Sequence, residues 1–372
     1  MLLLNIEIDN FFAFNNFKMN FAYPKKIVNS TIANEHLEGY PNFRYRKVNI
    51  LMGSNATGKT TMGRMLMSIF NALRRKTFGA LLPKRNNLDA KARFSIDFIS
   101  YTNQLWRVTV VIHPVEGQSS PYSASSEQVE VFCVPIRGSD SYEKCIERLE
   151  ANPGKFRKDL EDVTINGWKF TFPRDPDSMD DVSGKVVEDA RYLNVLKSIL
   201  MTLDPAITDV VKVDDADDSY SIVLDGKNLL MQEGVVALQD RLSTGTIAGI
   251  DIASMVYAIL MHKNGFYYCD EKFSFIQSDI ETALLSLMIS GLGSNEQLFF
   301  TTHNLEVADL DLPNHSFWFM RKSVSDETFY IEAVPVSKYL KKSSDSVKLA
   351  LENDIFATAP DLSLLYSLEE LE

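Results

Sequence analysis

The chain has 372 residues, of which 45% are hydrophobic and 24% are charged, as in ordinary soluble globular proteins. This composition excludes a disordered, collagen-like or disulfide-stapled protein, and at roughly 150 residues per domain the length predicts two or three lobes. The net charge of -12, from 38 basic and 50 acidic residues, excludes a protein that coats nucleic acid through general basicity.

Three cysteines without metal-ligand spacing favour a reducing compartment. The longest apolar stretch, residues 247–261, is interrupted by Asp251 and is too short to cross a bilayer. We therefore expect a cytoplasmic protein with no membrane partner.

The first part of the chain predicts strands around one helix. Residues 2–8 alternate between apolar and other side chains, and residues 47–52 form a short apolar run. Apolar residues then recur at helical spacing over 62–73. Two further strands are predicted at 94–99 and 106–112.

Residues 114–230 are polar, turn-rich and in places acidic. We interpret them as an inserted α+β region between an N-terminal lobe, 1–113, and a C-terminal lobe, 231–335. Residues 336–372 are predicted to form a short helix and an acidic tail. The inserted region shows no sustained heptads, so no long coiled-coil arm is expected.

The C-terminal lobe predicts alternating helices and strands. The sequence LSTGT at 242–246 precedes an apolar helix, and Ser278 with Glu281 three residues on matches a capping box at the start of another. The strand-like run QLFFTTH ends at His303, and a closing hairpin is predicted within 317–334.

Residues 53–60 match the pattern G-x-x-x-x-G-K-[ST] between a predicted strand and a predicted helix. Polyphosphate needs many donors, and the amides of such a loop and of the helix N-terminus supply them. Lys59 adds a cation at the β- and γ-phosphates, and the Thr60 hydroxyl is a ligand for Mg²⁺. The predicted nucleotide-binding residues are Gly53, Ser54, Asn55, Ala56, Thr57, Gly58, Lys59, Thr60 and Thr61, with ATP and Mg²⁺ as cofactors.

Two acids, Asp270 and Glu271, follow the apolar run FYYC. Catalytic acids lie at strand ends in open α/β sheets. Asp270 is predicted to hold Mg²⁺, and Glu271 to orient or deprotonate the attacking water. His303 follows one helix and one strand later, which predicts a neighbouring strand end close to the γ-phosphate.

The LSTGT sequence predicts a second anion site. A serine hydroxyl, a glycine amide and a helix N-terminus bind anions together. Because one loop already supplies such a site, we predict that Ser243 and Gly245 clamp the γ-phosphate of another subunit. The alternative is a serine that only caps its helix.

In this order, the phosphate loop, LSTGT, the acidic pair and the strand-final histidine resemble the ABC-type ATPase heads of RecF, SMC and OLD proteins. The sequences GSNATGKTT, LSTGT and FTTHN are most similar to the compact AAA15-type ATP-binding proteins, whose opening strand pair the run NIEIDNFFAFNNF also resembles. The resemblance implies an α/β P-loop NTPase of the ABC-ATPase head type, with a mixed sheet, an antiparallel N-terminal β subdomain and an inserted α+β region.

The resemblance also implies an ATPase that forms a homodimer, or a larger homo-oligomer, around ATP. Lys59 and Asp270 of one subunit would face Ser243 and Gly245 of the other, and His303 would respond to the γ-phosphate. This sequence departs from the family at Lys272, where an apolar or acidic residue is more usual, and the next turn lacks a histidine–proline pair. Neither a D-loop nor a Q-loop is assigned.

Several functions fit this pattern. Relatives with this compact build often work in bacterial phage-defence operons, so the resemblance implies an antiviral or abortive-infection switch that controls a separate effector protein. The alternative is a RecF-like DNA-repair ATPase whose basic stretch, 74–93, contacts DNA phosphates. A transporter motor fits poorly, because Lys59 and Ser243 are 184 residues apart. The acidic run 213–218 fits a hairpin turn better than a metal nuclease.

Overall fold

The computed structural model describes residues 1–100, 102–115, 120–122, 124, 126–173, 190–213, 216, 218–325, 328–341, 345–356, 366 and 368. The strands are β1 (Leu2–Asp9), β2 (Phe17–Asn20), β3 (His36–Leu37), β4 (Tyr40–Arg44), β5 (Val48–Met52), β6 (Ala92–Ile99), β7 (Gln104–His113), β8 (Ser126–Pro135), β9 (Arg157–Lys158), β10 (Trp168–Thr171), β11 (Ile207–Lys212), β12 (Ser219–Leu224), β13 (Lys227–Gln232), β14 (Val235–Val236), β15 (Phe266–Asp270), β16 (Gln297–Thr301), β17 (Phe317–Ser325) and β18 (Thr328–Pro335). The α-helices are α1 (Lys59–Arg75), α2 (Tyr142–Ala151), α3 (Pro153–Phe156), α4 (Ala190–Leu203), α5 (Thr244–Leu260), α6 (Ser278–Gly291) and α7 (Val347–Glu352). Among the described residues, no helix has the length and apolarity that a bilayer crossing requires.

A mixed sheet in the order β10-β15-β16-β5-β17-β18 forms the centre of the fold. Neighbouring strands are parallel from β10 through β17, and β18 returns antiparallel to β17 as the predicted closing hairpin. β5, β15 and β16 are buried along their whole length, as expected of parallel strands that are covered on both faces. Their carboxyl ends lie side by side at one edge of the sheet.

The N-terminal strands form an antiparallel sheet in the order β2-β1-β6-β7-β8-β9. Helix α1 joins this sheet to the central one, because Met62, Leu66 and Phe70 share a core with Phe94 of β6 and Phe266 of β15. The helical spacing of these apolar residues gives α1 a broad buried face. The mixed α/β architecture and the antiparallel N-terminal sheet agree with the sequence prediction.

The stretch 114–230 contributes strands to three sheets. β8 and β9 extend the antiparallel sheet, and β10 is an edge strand of the central sheet. β11, β12 and most of β13 belong to a four-stranded sheet, which β14 completes from just beyond this stretch. This small sheet packs on α4, where the Tyr192 and Tyr220 ring centroids lie 5.6 Å apart. The division of the chain into four segments stays a prediction. The acidic run 213–218 connects β11 to β12, and residues 214, 215 and 217 of it lie outside the described part.

Two local predictions at the sheet edge are wrong. Helix α6 begins at Ser278 with Gln277 as its N-cap and no side-chain cap, so Ser278 and Glu281 do not form a capping box. Strand β16 ends at Thr301. His303 instead lies in a turn, because Asn304 caps the 3-10 turn Leu305–Asp309 that follows.

Candidate functional site

The loop between β5 and α1 carries the predicted phosphate-binding sequence. It turns through Gly53, at φ 149°, and Gly58, at φ 95°. A Cβ at Gly53 would lie 2.2 Å from the carbonyl oxygen of Met320 on β17, so only glycine fits there. Gly58 is the N-cap of α1 and offers no side-chain acceptor. A bound anion would satisfy the backbone donors at this helix start.

Lys59 is the first residue of α1, and its side chain is only 3% exposed. Its ammonium donates to the carbonyl oxygens of Gly53 at 2.8 Å and Ser54 at 3.2 Å, and lies 3.3 Å from Glu271 Oε1. Burial lowers the pKa of Lys59, and the Glu271 carboxylate opposes that shift. These partners are oxygen atoms that a phosphate oxygen could replace.

The tip of the loop is exposed and conformationally strained. The Thr57 hydroxyl donates to the Ser54 carbonyl at 2.8 Å, which closes the loop on itself. Asn55 and Ala56 are exposed, and Ala56 has a φ of 60°, a conformation that costs free energy in alanine. The half-buried residues of the first helical turn are Thr60 and Thr61.

Asp270 ends β15 and is completely buried. Its Oδ1 accepts a hydrogen bond from the Thr301 hydroxyl at 2.8 Å, whereas Oδ2 has no hydrogen-bond partner among the described residues. Burial raises the pKa of Asp270 to about 6, and the neighbouring Thr60 and Thr301 hydroxyls oppose the shift. A buried carboxylate oxygen without a donor favours a cation. The residues therefore fit Mg²⁺, which prefers oxygen ligands such as Thr60 and Asp270.

Glu271 lies between the side chains of Lys59 and His303. Its Oε1 is 2.9 Å from His303 Nε2 and 3.3 Å from Lys59 Nζ. The hydrogen bond from His303, followed by the charge of Lys59, lowers the pKa of Glu271 although partial burial opposes the shift. Its φ is 43°, so the backbone turns sharply as it leaves β15. The structure thus brings Lys59, Glu271 and His303 into one cluster beside Asp270.

Two residues that hold this cluster together are not among the predicted site residues. The Tyr268 hydroxyl donates to the Lys59 carbonyl oxygen at 2.8 Å, which ties the start of α1 to β15. Thr301 Oγ1 donates to Asp270 and accepts from the Glu271 backbone N–H at 2.9 Å. The sequence carries a signal for Thr301, which ends a neighbouring strand. It carries none for Tyr268, whose role depends on how α1 packs.

Ser243 and Gly245 lie at the start of α5 and make local contacts there. The Ser243 hydroxyl accepts from the Thr246 backbone N–H at 3.0 Å, as a helix cap does. A Cβ at Gly245 would lie 2.7 Å from the Phe275 carbonyl oxygen. Within the described part of the chain, no hydrogen bond or ion pair joins these two residues to residues 53–61.

Lys272 connects the acidic pair to helix α5. Its side chain is 8% exposed, and its ammonium forms an ion pair with Asp251 of α5 and donates to the Phe172 carbonyl oxygen at 3.2 Å. A buried cation needs such partners. Lys272 therefore has a structural role, which is to attach the turn after Glu271 to α5.

The basic stretch 74–93 packs largely on the protein itself. The Arg74 guanidinium lies 5.8 Å from the centre of the Trp168 ring, and Arg85 is buried. Arg93 forms a 2.9 Å ion pair with Glu7. These contacts leave a smaller basic surface than the sequence predicts.

No family model and no curated protein match this chain. Solved structures do. The SmcHead bound to the C-winged helix domain of ScpA has 12% sequence identity and a TM-score of 0.52, covering 92% of this chain and 100% of that one. An SMC head domain from Thermotoga maritima, at 12% identity, covers 90% and 99% with a TM-score of 0.42. A Pyrococcus furiosus Smc head domain with an extended coiled coil, bound to the C-terminal domain of ScpA, also at 12% identity, covers 91% and 98% with a TM-score of 0.46. The more specific AAA15-type resemblance stays a prediction, and the likeness to the SmcHead shows that this chain has the fold of an SMC head domain.

Proposed function

We propose that this protein is an ABC-type ATPase switch that binds and hydrolyses ATP with Mg²⁺. The observation that carries the proposal is the cluster of Lys59, Glu271 and His303 beside Asp270 and the phosphate loop. Four side chains that supply functions needed for nucleotide hydrolysis meet at one edge of a parallel sheet: Asp270 and Glu271 come from the end of β15, His303 follows β16, and Lys59 begins the helix after β5.

Each residue has a distinct task in this proposal. The amides of residues 53–61 bind the phosphates, and Lys59 exchanges its loop carbonyls for phosphate oxygens. Thr60 and Asp270 hold Mg²⁺, which when bound neutralises charge on the phosphate oxygens. Glu271 orients the attacking water and accepts its proton. His303, which contacts Glu271, responds to the γ-phosphate.

We further propose that two copies close around ATP. Ser243 and Gly245 have no hydrogen bond to their own phosphate loop among the described residues, which supports a role at the nucleotide of a partner subunit. The helix N-terminus and the Ser243 hydroxyl are suited to a γ-phosphate. A dimer of this kind is the simplest arrangement that uses both anion sites.

The switch would act on a separate effector protein. The similar SmcHead is bound to a domain of ScpA, which supports a protein partner in this proposal. Antiviral defence remains a prediction from the family resemblance. DNA binding, the alternative, would depend on the exposed Arg75 and Lys91, and retention on DNA at two salt concentrations tests it.

The proposal predicts that Lys59→Ala weakens ATP binding at least about a hundredfold, because the ammonium supplies the only charge of the loop itself. Calorimetric titration with Mg-ATP measures the affinity. The matched control is Lys91→Ala, which removes an exposed lysine of the same lobe and should bind ATP like the wild type. Wild-type affinity in the Lys59→Ala variant would refute the phosphate-loop assignment.

A further inference from the structure

A buried carboxylate near the candidate site has no task in the proposed mechanism. Glu281 lies in the first turn of α6 and is only 4% exposed. Its Oε1 accepts from the Thr302 hydroxyl at 2.6 Å, and its Oε2 accepts from the Asn304 side-chain amide at 2.9 Å. Both oxygens of one buried side chain are therefore committed to the two residues that flank His303.

The turn around His303 is fixed by further bonds that depend on the same residues. The Asn304 backbone N–H donates to Thr302 Oγ1 at 2.9 Å, and Asn304 Oδ1 accepts from the Glu306 backbone N–H at 3.0 Å. The His303 side chain, 38% exposed, projects from this braced turn to Glu271 Oε1. The bond from Thr302 to Glu281, at 2.6 Å, is the shortest of the side-chain hydrogen bonds that hold the turn.

We propose that Glu281 is a positioning residue, which holds the 302–304 turn so that His303 meets Glu271 and the γ-phosphate. This inference rests on the proposed function, since it assigns a role to the same site. Helix α6 then has a role beyond packing, because it carries Glu281, the residue that holds the turn around His303. Glu281 touches neither Glu271 nor the phosphate loop among its hydrogen bonds, so it acts only through His303.

A double-mutant cycle of ATP hydrolysis tests this role. Glu281→Gln keeps the size of the side chain, but its amide nitrogen cannot accept the hydrogen bond that one carboxylate oxygen accepted. We expect kcat to fall about tenfold or more, because small misplacements of a reacting group are costly, while KM changes less than about twofold. In a His303→Ala background the same substitution should have no further effect. Additive losses, or a change in KM alone, would overturn the proposal.

A measurement without nucleotide separates this inference from the proposed function. The ¹⁵N signal of His303 Nε2 in nucleotide-free protein should move in Glu281→Gln, because the contact with Glu271 is loosened. It should stay in place in Asp279→Asn, which removes an exposed carboxylate from the same helical turn. It should also stay in place in Glu296→Gln, which alters a buried glutamate whose partners are Gly293 and His262. An unmoved signal in Glu281→Gln would refute the positioning role, whatever the ATPase activity.

A second variant tests the same hydrogen bond by changing its donor, Thr302. Thr302→Val removes the hydroxyl that Glu281 accepts from and leaves the buried carboxylate in place. It should show the same loss of kcat and the same shift of the His303 signal, even if Glu281→Gln does not fold. Wild-type values for both in Thr302→Val would count against the proposal.

Discussion

Burial of the ionised Asp270 carboxylate is unfavourable, and this cost should be visible in the pH dependence of stability. Burial raises its pKa from an ordinary 3.8 to about 6. Between about pH 4 and pH 6 the folded state therefore binds more protons than the unfolded state, and the free energy of unfolding falls as the pH rises. At 1.36 kcal/mol per pKa unit, the cost above pH 6 is about 3 kcal/mol in the absence of a cation.

Asp270→Asn removes this titration. Without nucleotide and Mg²⁺, the stability of the variant relative to the wild type should increase by about 2 kcal/mol between pH 4.5 and pH 7.5, because the unfolded carboxyl is already largely ionised at pH 4.5. Denaturant unfolding at the two pH values measures the change. Asp279→Asn, at an exposed carboxylate, should show no such trend. A stability difference that does not vary with pH would contradict the raised pKa.

The sequence identified the candidate site residues at the strand ends but not the residues that hold them in place. Asp270, Glu271 and His303 are recognisable because each follows an apolar run, and parallel strands bring such ends together. Glu281 was misassigned because a serine three residues before a glutamate is a local pattern, whereas its partners, Thr302 and Asn304, are distant in sequence. Local patterns do not reveal contacts across 20 or more residues.

Helix α1 and strand β15 fit together through one glycine. Gly63 faces the Tyr268 ring, and a Cβ there would lie 2.4 Å from Tyr268 Cε1. Gly63→Ala gains about 1 kcal/mol of helix propensity but forces α1 away from the sheet. We expect a net loss of about 1 to 3 kcal/mol of stability and weaker ATP binding, because Tyr268 also holds Lys59.

Denaturant unfolding and nucleotide titration measure both effects of Gly63→Ala. Gly79→Ala is the matched control, since a Cβ at Gly79 meets no atom within 4 Å. It should leave both stability and affinity nearly unchanged. A Gly63→Ala protein as stable as the wild type would show that the α1–β15 contact is looser than the structure indicates.

The strands themselves were predictable, and their order was not. Apolar runs identify β5, β15 and β16, because both faces of a parallel strand are buried. The placement of β10 beside β15 depends on contacts across about 100 residues, for which a sequence pattern has no signal. For the same reason, the interpretation of 114–230 as an insert overlooked its strands in the two large sheets.

At the level of the whole molecule, Glu271→Gln should trap an ATP-bound dimer. Glutamine still hydrogen-bonds water but cannot accept its proton, so the γ-phosphate stays in place and stabilises the closed state by mass action. Sedimentation velocity with Mg-ATP should show a dimer, or a more compact dimer if one already exists, and ADP should have no effect. Unchanged hydrolysis would remove Glu271 from its proposed role.

Mixing two inactive variants tests whether the site is shared between subunits. Ser243→Arg places a bulky cation at a helix N-terminus, where it opposes the dipole. It should block hydrolysis but not ATP binding. A mixture with Lys59→Ala should recover activity, because a mixed dimer has one site with both defects and one with neither. If Ser243→Arg alone hydrolyses ATP normally, Ser243 is only a helix cap.

The turn from Glu271 to Phe275 could couple the two nucleotide sites of the proposed dimer. It begins at the carboxylate that is proposed to act on one nucleotide, and it ends against Gly245, whose helix is proposed to meet the other. Lys272 fastens it to that helix through Asp251. In the proposed dimer, the same turn would therefore contact both nucleotide sites. The free energy that couples ATP binding at one site to ATP binding at the other is necessarily reciprocal. We expect the two sites to hydrolyse ATP cooperatively, with a Hill coefficient above 1 for the dependence of the hydrolysis rate on ATP concentration.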